Sequence, residues 1–379
     1  MYVCMYVAKG IFWRLSLLDR YLYVWILLDM VIAIVIGYYV DDVKSKFQVA
    51  EIESVSLPIA VGLWVMMYPV LCKIQYELLY QTLFSSTSSA SPGSAPNHPN
   101  NSMAMSGPES SKRYGKAHMT ILSLVLNWIV GPALMTGLAW ATLPDLPGFR
   151  TGVILVGIAR CIAMVLIWND LANGDPDYCA LLVAMNSIMQ IVLFTPVSLF
   201  YLKVVSRNQG FHVDSWVVAK SVFLFLGVPL VAGMLTRFVM IRLAGHSWYN
   251  GRFLRFIGPF ALIGLLYTIF VMFSIQAHHI VDNVVHVVRV AVPMLIYFVL
   301  VFFSSLGICN VMKIPYALSI TQAFTAASNN FELAIAVAVG SFGIDSEEAL
   351  AATIGPLIEV PVLLLFVYIV GFFKHKWAN

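Results

Sequence analysis

Two short stretches place chemically active side chains inside otherwise apolar sequence. Residues 157–168 read "GIARCIAMVLIW", with Arg160 and Cys161 adjacent. Residues 319–337 read "SITQAFTAASNNFELAIAV", in which Gln322, Thr325, Asn329 and Glu332 follow i, i+3, i+7, i+10 and share one helix face. A thiolate is a soft ligand that selects soft metals and metalloids, and a neighbouring guanidinium favours it. A carboxylate flanked by amides inside a membrane is a proton or cation site. Plain structural roles compete with each reading. A lone cysteine packs as a small hydrophobe, an Arg–Glu pair can be inert, and amides can simply bind helices together. Consecutive helical residues also point about 100° apart, so adjacency does not put the guanidinium on the thiol.

A charge at the centre of a spanning helix costs roughly 2.5–3.5 kcal/mol on insertion scales. That cost is relevant here because the chain is 60% hydrophobic and only 11% charged. Soluble domains run to about 45–50% apolar and about 25% charged, so the excess must face lipid. The runs predict an all-α polytopic membrane protein with ten spans near 20–40, 55–73, 117–142, 151–169, 177–204, 215–241, 253–276, 284–309, 315–342 and 348–373. The spans carrying Arg160–Cys161 and Asn329–Asn330 are the fourth and the ninth. Asn329-Asn330 is a poor helix former and marks an unwound point, with Ala323, Ala326, Ala327 and Ser328 small enough for another backbone to approach.

Ten spans divide into two sets of five, at 20–204 and 215–373. A shift of 169 residues lays Arg160 on Asn329, Cys161 on Asn330 and Gln190 on Glu359. An odd number of spans per half makes such a repeat inverted, with the fourth and ninth helices broken at the membrane centre. Inverted repeats of this kind belong to secondary transporters. The identity is low, and chance similarity between apolar runs is the competing explanation.

Residues 81–111 differ from everything else, with ten serines, four prolines and no Lys or Arg. Such a segment has no apolar mass to bury and is predicted to be disordered. It contains the sequon Asn100-Asn101-Ser102. With residues 1–19 in the cytoplasm, fourteen Lys and Arg fall on the cytoplasmic side and five opposite, with three within spans, for 22 in all. That bias places both termini, including 374–379, and the 81–111 loop inside, where the sequon would go unused.

Other chemistry is excluded or weak. The five cysteines, Cys4, Cys72, Cys161, Cys179 and Cys309, form no C-x-x-C pair, which argues against a disulfide framework or a zinc site. There is no P-loop, so ATP is not hydrolysed that way. A net charge of +3 gives no sign of a nucleic-acid partner.

Several segments resemble one family. "ARCIAMVLIWN" (159–169), "ASNNFELAIAVA" (327–338), "GPLIEVP" (355–361), "LNWIVGPALMTGLAW" (126–140) and "MYPVLCK" (67–73) are similar to the arsenical-resistance-type arsenite efflux permeases, within the bile acid/arsenite/riboflavin transporter superfamily. Cys72, Cys161 and Cys179 together resemble the fungal branch. The resemblance implies ten helices in two inverted repeats and export of trivalent arsenite, sometimes antimonite, in exchange for protons. It implies Cys161 as the thiol ligand of arsenite and Glu332 as the ninth-helix glutamate. It brings in Asn127, Arg160, Trp168, Asn186, Asn330 and Glu359 as polar membrane residues, and Arg237 less securely. Arg160, Asn186 and Asn330 are then expected to bind the substrate hydroxyls. Glu332 and Glu359 would couple protons, with Asn127, Trp168, Asn329 and Gln190 in support. Arg160 is expected to stabilise the thiolate, donate to a hydroxyl or balance Glu332. No cofactor is called for, the oligomeric state is left open, and the plasma membrane is favoured over the vacuolar membrane. The 81–111 insertion departs from the family pattern. Two alternatives stay open: a sodium-coupled organic-anion carrier of the same superfamily, which needs no thiol, and a membrane enzyme or sensor built on a reactive Cys161.

Overall fold

The computed structural model describes residues 22–40, 42–47, 51–52, 55–74, 76, 116–162, 164–206 and 215–377. The N-terminal segment 1–19 and the serine-rich 81–111, with its sequon, lie outside the described residues. What remains is almost wholly helical. In chain order the helices are α1 (Leu22–Tyr39), α2 (Val43–Phe47), α3 (Leu57–Lys73), α4 (Lys116–Val125), α5 (Gly131–Thr142), α6 (Pro147–Ile158), α7 (Met164–Leu171), α8 (Pro176–Leu199), α9 (Ser215–Val222), α10 (Val228–Trp248), α11 (Leu254–Ile275), α12 (Ala277–Asp282), α13 (Val284–Val311), α14 (Tyr316–Ala327), α15 (Phe331–Phe342) and α16 (Glu347–Trp377). A two-residue antiparallel pair, Glu51–Ile52 with Val55–Ser56, precedes α3.

Among the described residues, 5 helical stretches are long and apolar enough to cross a membrane. They are His118–Thr142, Pro176–Val205, Ser215–Ile275, Val284–Val311 and Glu347–Phe372. The stretch Ser215–Ile275 is not one rod. Gly245 has φ 82° and ψ 161°, a conformation that L side chains rarely adopt, and it kinks α10 just before its C-terminal end.

The helices pack as two bodies. α1, α3, α10 and α11 pack chiefly on one another. Their approach is close, since a Cβ on Gly264 of α11 would lie 2.6 Å from the Met66 nitrogen of α3. The second body gathers α5, α6, α13, α14, α15 and α16, with α7 and α8 against α14. Its outer turn is tied by Arg289, at the start of α13, which donates to both Asp145 oxygens at 2.5 and 2.8 Å. That guanidinium holds the exposed Asp145 carboxyl below the usual range, at about 2.

Two passages in the second body are interrupted. α6 and α15 each have 12 residues, which rise about 18 Å at 1.5 Å per residue. A hydrocarbon core of about 30 Å is too thick for either alone, so each ends inside it. The interruption after α6 falls at 159–162 among the described residues, and the one before α15 at 328–330. Non-helical backbone is tolerated at that depth only when protein surrounds it. The condition is met, because Ala159, Arg160, Cys161, Ser328, Asn329 and Asn330 are all buried.

Candidate functional site

The two interruptions cross, and each satisfies backbone groups that the other leaves bare. Arg160 and Asn329 form an isolated antiparallel bridge. The Asn330 amide donates to the Ala159 carbonyl at 3.1 Å, and the Asn329 side chain donates to the Val156 carbonyl at 2.6 Å. Asn330 also caps α15, its Oδ1 accepting from the Leu333 amide at 3.1 Å. The asparagine pair thus ends one helix, starts the next and ties both to α6. That is the competition with helical bonding that made the pair a poor helix former.

Each crossing strand is then gripped by one side chain from a continuous helix. Gln190 of α8 accepts from the Arg160 amide at 3.0 Å and donates to the Arg160 carbonyl at 2.8 Å. Glu359 of α16 accepts the Ser328 hydroxyl and lies against the Asn329 amide. Replacing Gln190 with alanine strips partners from two buried backbone groups. The expected cost is about 1–3 kcal/mol for each group left bare, read as a lower melting temperature of the purified protein in detergent. An unchanged melting temperature would mean that the clamp does not hold the crossing.

The charged side chains do not pair as the sequence reading expected. The fully buried Arg160 guanidinium donates to the Tyr297 hydroxyl at 3.1 Å and to the carbonyls of Ile158 and Gly157. No ion pair joins it to Glu332 or Glu359 among the described residues. The groups near the Cys161 thiol include Glu359, Ser328, Glu332, the Val165 backbone and Cys179, and not the Arg160 guanidinium. In this conformation Arg160 is therefore neither thiolate stabiliser nor counter-charge to Glu332. The cause is local. Once the chain leaves α6, the last α6 carbonyls lack helical partners and draw the guanidinium back. Gly131 leaves room for it, since a Cβ there would come 2.6 Å from Nη1.

Glu332 stands apart from Glu359 in setting. It lies in the first turn of α15, where the helix dipole favours a negative charge. It keeps 8% exposure against 2% for Glu359, and it lines a cavity of about 400 Å³. The remaining candidates distribute unevenly. Asn186, one turn before Gln190, accepts the Trp128 indole at 3.2 Å. Asn127 donates to Ser123 of its own helix. Trp168 is buried on α7. Arg237 is placed elsewhere, 5.5 Å from the Tyr249 ring, whose hydroxyl donates to the Cys72 carbonyl. Cys179 and Cys309 are buried free thiols on α8 and α13.

Several polar atoms of this group are buried without a hydrogen-bond partner: Asn127 Oδ1, Trp168 Nε1, Asn186 Nδ2, Asn329 Oδ1 and Asn330 Nδ2. Unsatisfied buried amides are costly and suit a polar occupant with several hydroxyls. Among the described residues no cluster of His, Cys, Asp and Glu is arranged to hold a resident metal ion. Sequence alone gives no reason to single out Tyr297, and it shows the segment 126–140 only as a resemblance, not as the π-helical turn Leu126–Val130 between α4 and α5. Ser328 had been noted only for its size.

The chain matches known proteins over most of its length. Residues 109–283 match the model of the sodium bile acid symporter family. The chain is 44% identical over 360 residues to the arsenical-resistance protein Acr3 of Corynebacterium glutamicum, covering 94% of this chain and 89% of that one. It is 30% identical over 378 residues to the Acr3 of Alkaliphilus metalliredigens, covering 97% and 95%. It is 31% identical over 374 residues to an uncharacterised transporter of Synechocystis, covering 94% and 88%.

Proposed function

The chain belongs to the Acr3-type arsenical-resistance family, multi-pass membrane transporters and not enzymes, and from that premise we propose that it exports trivalent arsenite in exchange for protons. The observation that carries the reading is one thiol, two carboxyls and unpartnered amides gathered where two broken helices cross. Arsenite at neutral pH is a small uncharged trihydroxide with a soft arsenic centre. The Cys161 sulfur attacks arsenic, one hydroxyl leaves with the thiol proton as water, and release reverses the step. Three thiols would hold arsenic too tightly for a carrier, whereas one gives a reversible ligand. The remaining hydroxyls meet Asn330 and Asn186, and Arg160 once its guanidinium leaves Tyr297. Antimonite, with the same valence and softness, fits the same ligand set.

The proposal includes the architecture. Ten spans form two inverted repeats of five, offset by 169 residues. The offset carries Arg160 to Asn329, which face each other across the bridge, and Gln190 to Glu359, which each grip one crossing strand. Such correspondence supports a common origin for the halves. Both termini and the 81–111 loop are cytoplasmic by charge bias. A tag inserted in that loop should be protected in intact cells and labelled only after permeabilisation. Labelling from outside, or glycan on Asn100, would reverse the orientation.

The experiment that tests the function is arsenite uptake by everted vesicles with an imposed pH gradient. Vesicles acid inside should accumulate arsenite, and collapse of the gradient should stop it. The match to a sodium symporter family favours a second reading, sodium coupling, which the same vesicles address. Accumulation driven by a sodium gradient at equal pH would replace protons with sodium.

A further inference from the structure

We propose that Lys73 and Asp170 are the two halves of the cytoplasmic gate, apart in this conformation and joined as an ion pair when the path closes on that side. The inference rests on the transporter reading above. It starts from the cavity that reaches Glu332, whose walls belong to different bodies. One wall is α3 and α11, with Met66, Lys73 and Leu265; the other is α7, α8 and α15, with Ile167, Asp170 and Glu332. The cavity is therefore the seam between the two helix bodies. A carrier that exposes its site alternately to each side must close this seam.

The seam's charges are few and complementary. Among the residues lining the cavity only Lys73, Asp170 and Glu332 are charged. Lys73 is the last residue of α3, and Asp170 lies in the last turn of α7. Both are exposed and so mark the mouth, while Glu332 is buried. They carry opposite signs on opposite walls, and Lys73 is the charge that acts on Asp170. They form no ion pair with each other here. The remaining wall is largely apolar and can close on itself without loss, which leaves these two charges to meet or to be buried alone. A charge buried without a partner is strongly unfavourable, so closure with both in place favours the pair. The opposite end of the seam is already shut, because the Gln276 side chain, beyond α11, donates to the Ile344 carbonyl, beyond α15, at 2.8 Å.

The test is a charge swap in everted vesicles, with membrane abundance checked for every variant. Lys73→Asp and Asp170→Lys alone each set like charges across the mouth and should cut arsenite accumulation about tenfold or more. The double variant restores opposite signs and should recover most of the rate. A second readout uses Lys73→Cys with Asp170→Cys, oxidised and resolved on a gel after cleavage in the 81–111 loop. A reducible cross-link should form and arrest transport until reductant is added. Single variants that transport normally, a double variant no better than the worse single, or the absence of a cross-link would each overturn the gate. The cross-link does not depend on which solute is carried, so its failure is distinguishable from failure of the unaltered protein to move arsenite.

Discussion

Cells producing Cys161→Ser are expected to hold the protein in the membrane at normal abundance and to export no arsenite. Serine preserves size and can hydrogen-bond, but it lacks the soft sulfur donor that arsenic requires. The loss should be complete, because among the described residues Cys161 is the cysteine carried by the crossing strands themselves. The buried thiols Cys179 and Cys309 lie on the continuous helices α8 and α13, and the Cys179 sulfur lies 4.0 Å from the Val165 carbonyl. Cys309→Ser should therefore retain export. Arsenite efflux from loaded cells, normalised to protein in the membrane, checks both. Full resistance with Cys161→Ser would return this cysteine to a packing role and remove the thiol from the mechanism.

The second large effect is on coupling. Glu332→Gln should abolish gradient-driven accumulation in everted vesicles while leaving arsenite binding in place. Glutamine keeps the hydrogen-bonding shape but cannot exchange a proton. Glu332 suits the role because it is the carboxyl of the crossing that lines the cavity, at the N-terminus of α15. It would release a proton to the cytoplasm when the seam is open on that side and take one from outside as arsenite leaves. Glu359→Gln is the comparison. Glu359 is held by the Ser328 hydroxyl, so its loss should disturb the geometry of the crossing and weaken binding as well as flux. If Glu332→Gln vesicles accumulate arsenite with the usual pH dependence, Glu359 becomes the coupling residue.

The break in the ninth span was legible because Asn329 and Asn330 prefer their own local bonds to a helix, and the structure has α14 and α15 meeting there. The break in the fourth was legible only by analogy. "ARCIA" contains no strong helix breaker, and the non-helical backbone at Arg160 takes its hydrogen bonds from Gln190 and lies against Asn329 of the other strand. The Gln190–Glu359 correspondence came from aligning halves of low identity, and each side chain grips a crossing strand. What the sequence could not carry was orientation of side chains between helices. Arg160 had two carboxylates to choose from by charge, and it took Tyr297 and two carbonyls that became available only once the helix was broken. Tyr297 lies in an apolar run where an aromatic hydroxyl looks like an interface anchor. The division into two helix bodies depends on long-range packing between α1, α3, α10 and α11. No periodicity within one helix encodes it, and Lys73 and Asp170 acquire meaning only from the seam between those bodies.

The exchange of arsenite for protons is tested most directly by looking for the proton. Purified protein in liposomes, loaded with arsenite and a pH-sensitive dye at equal internal and external pH, should acidify the lumen as arsenite flows out, with the membrane potential clamped. The acidification should be absent with Glu332→Gln and with Cys161→Ser. Arsenite leaving the liposomes at the wild-type rate while the internal pH stays constant would contradict proton exchange.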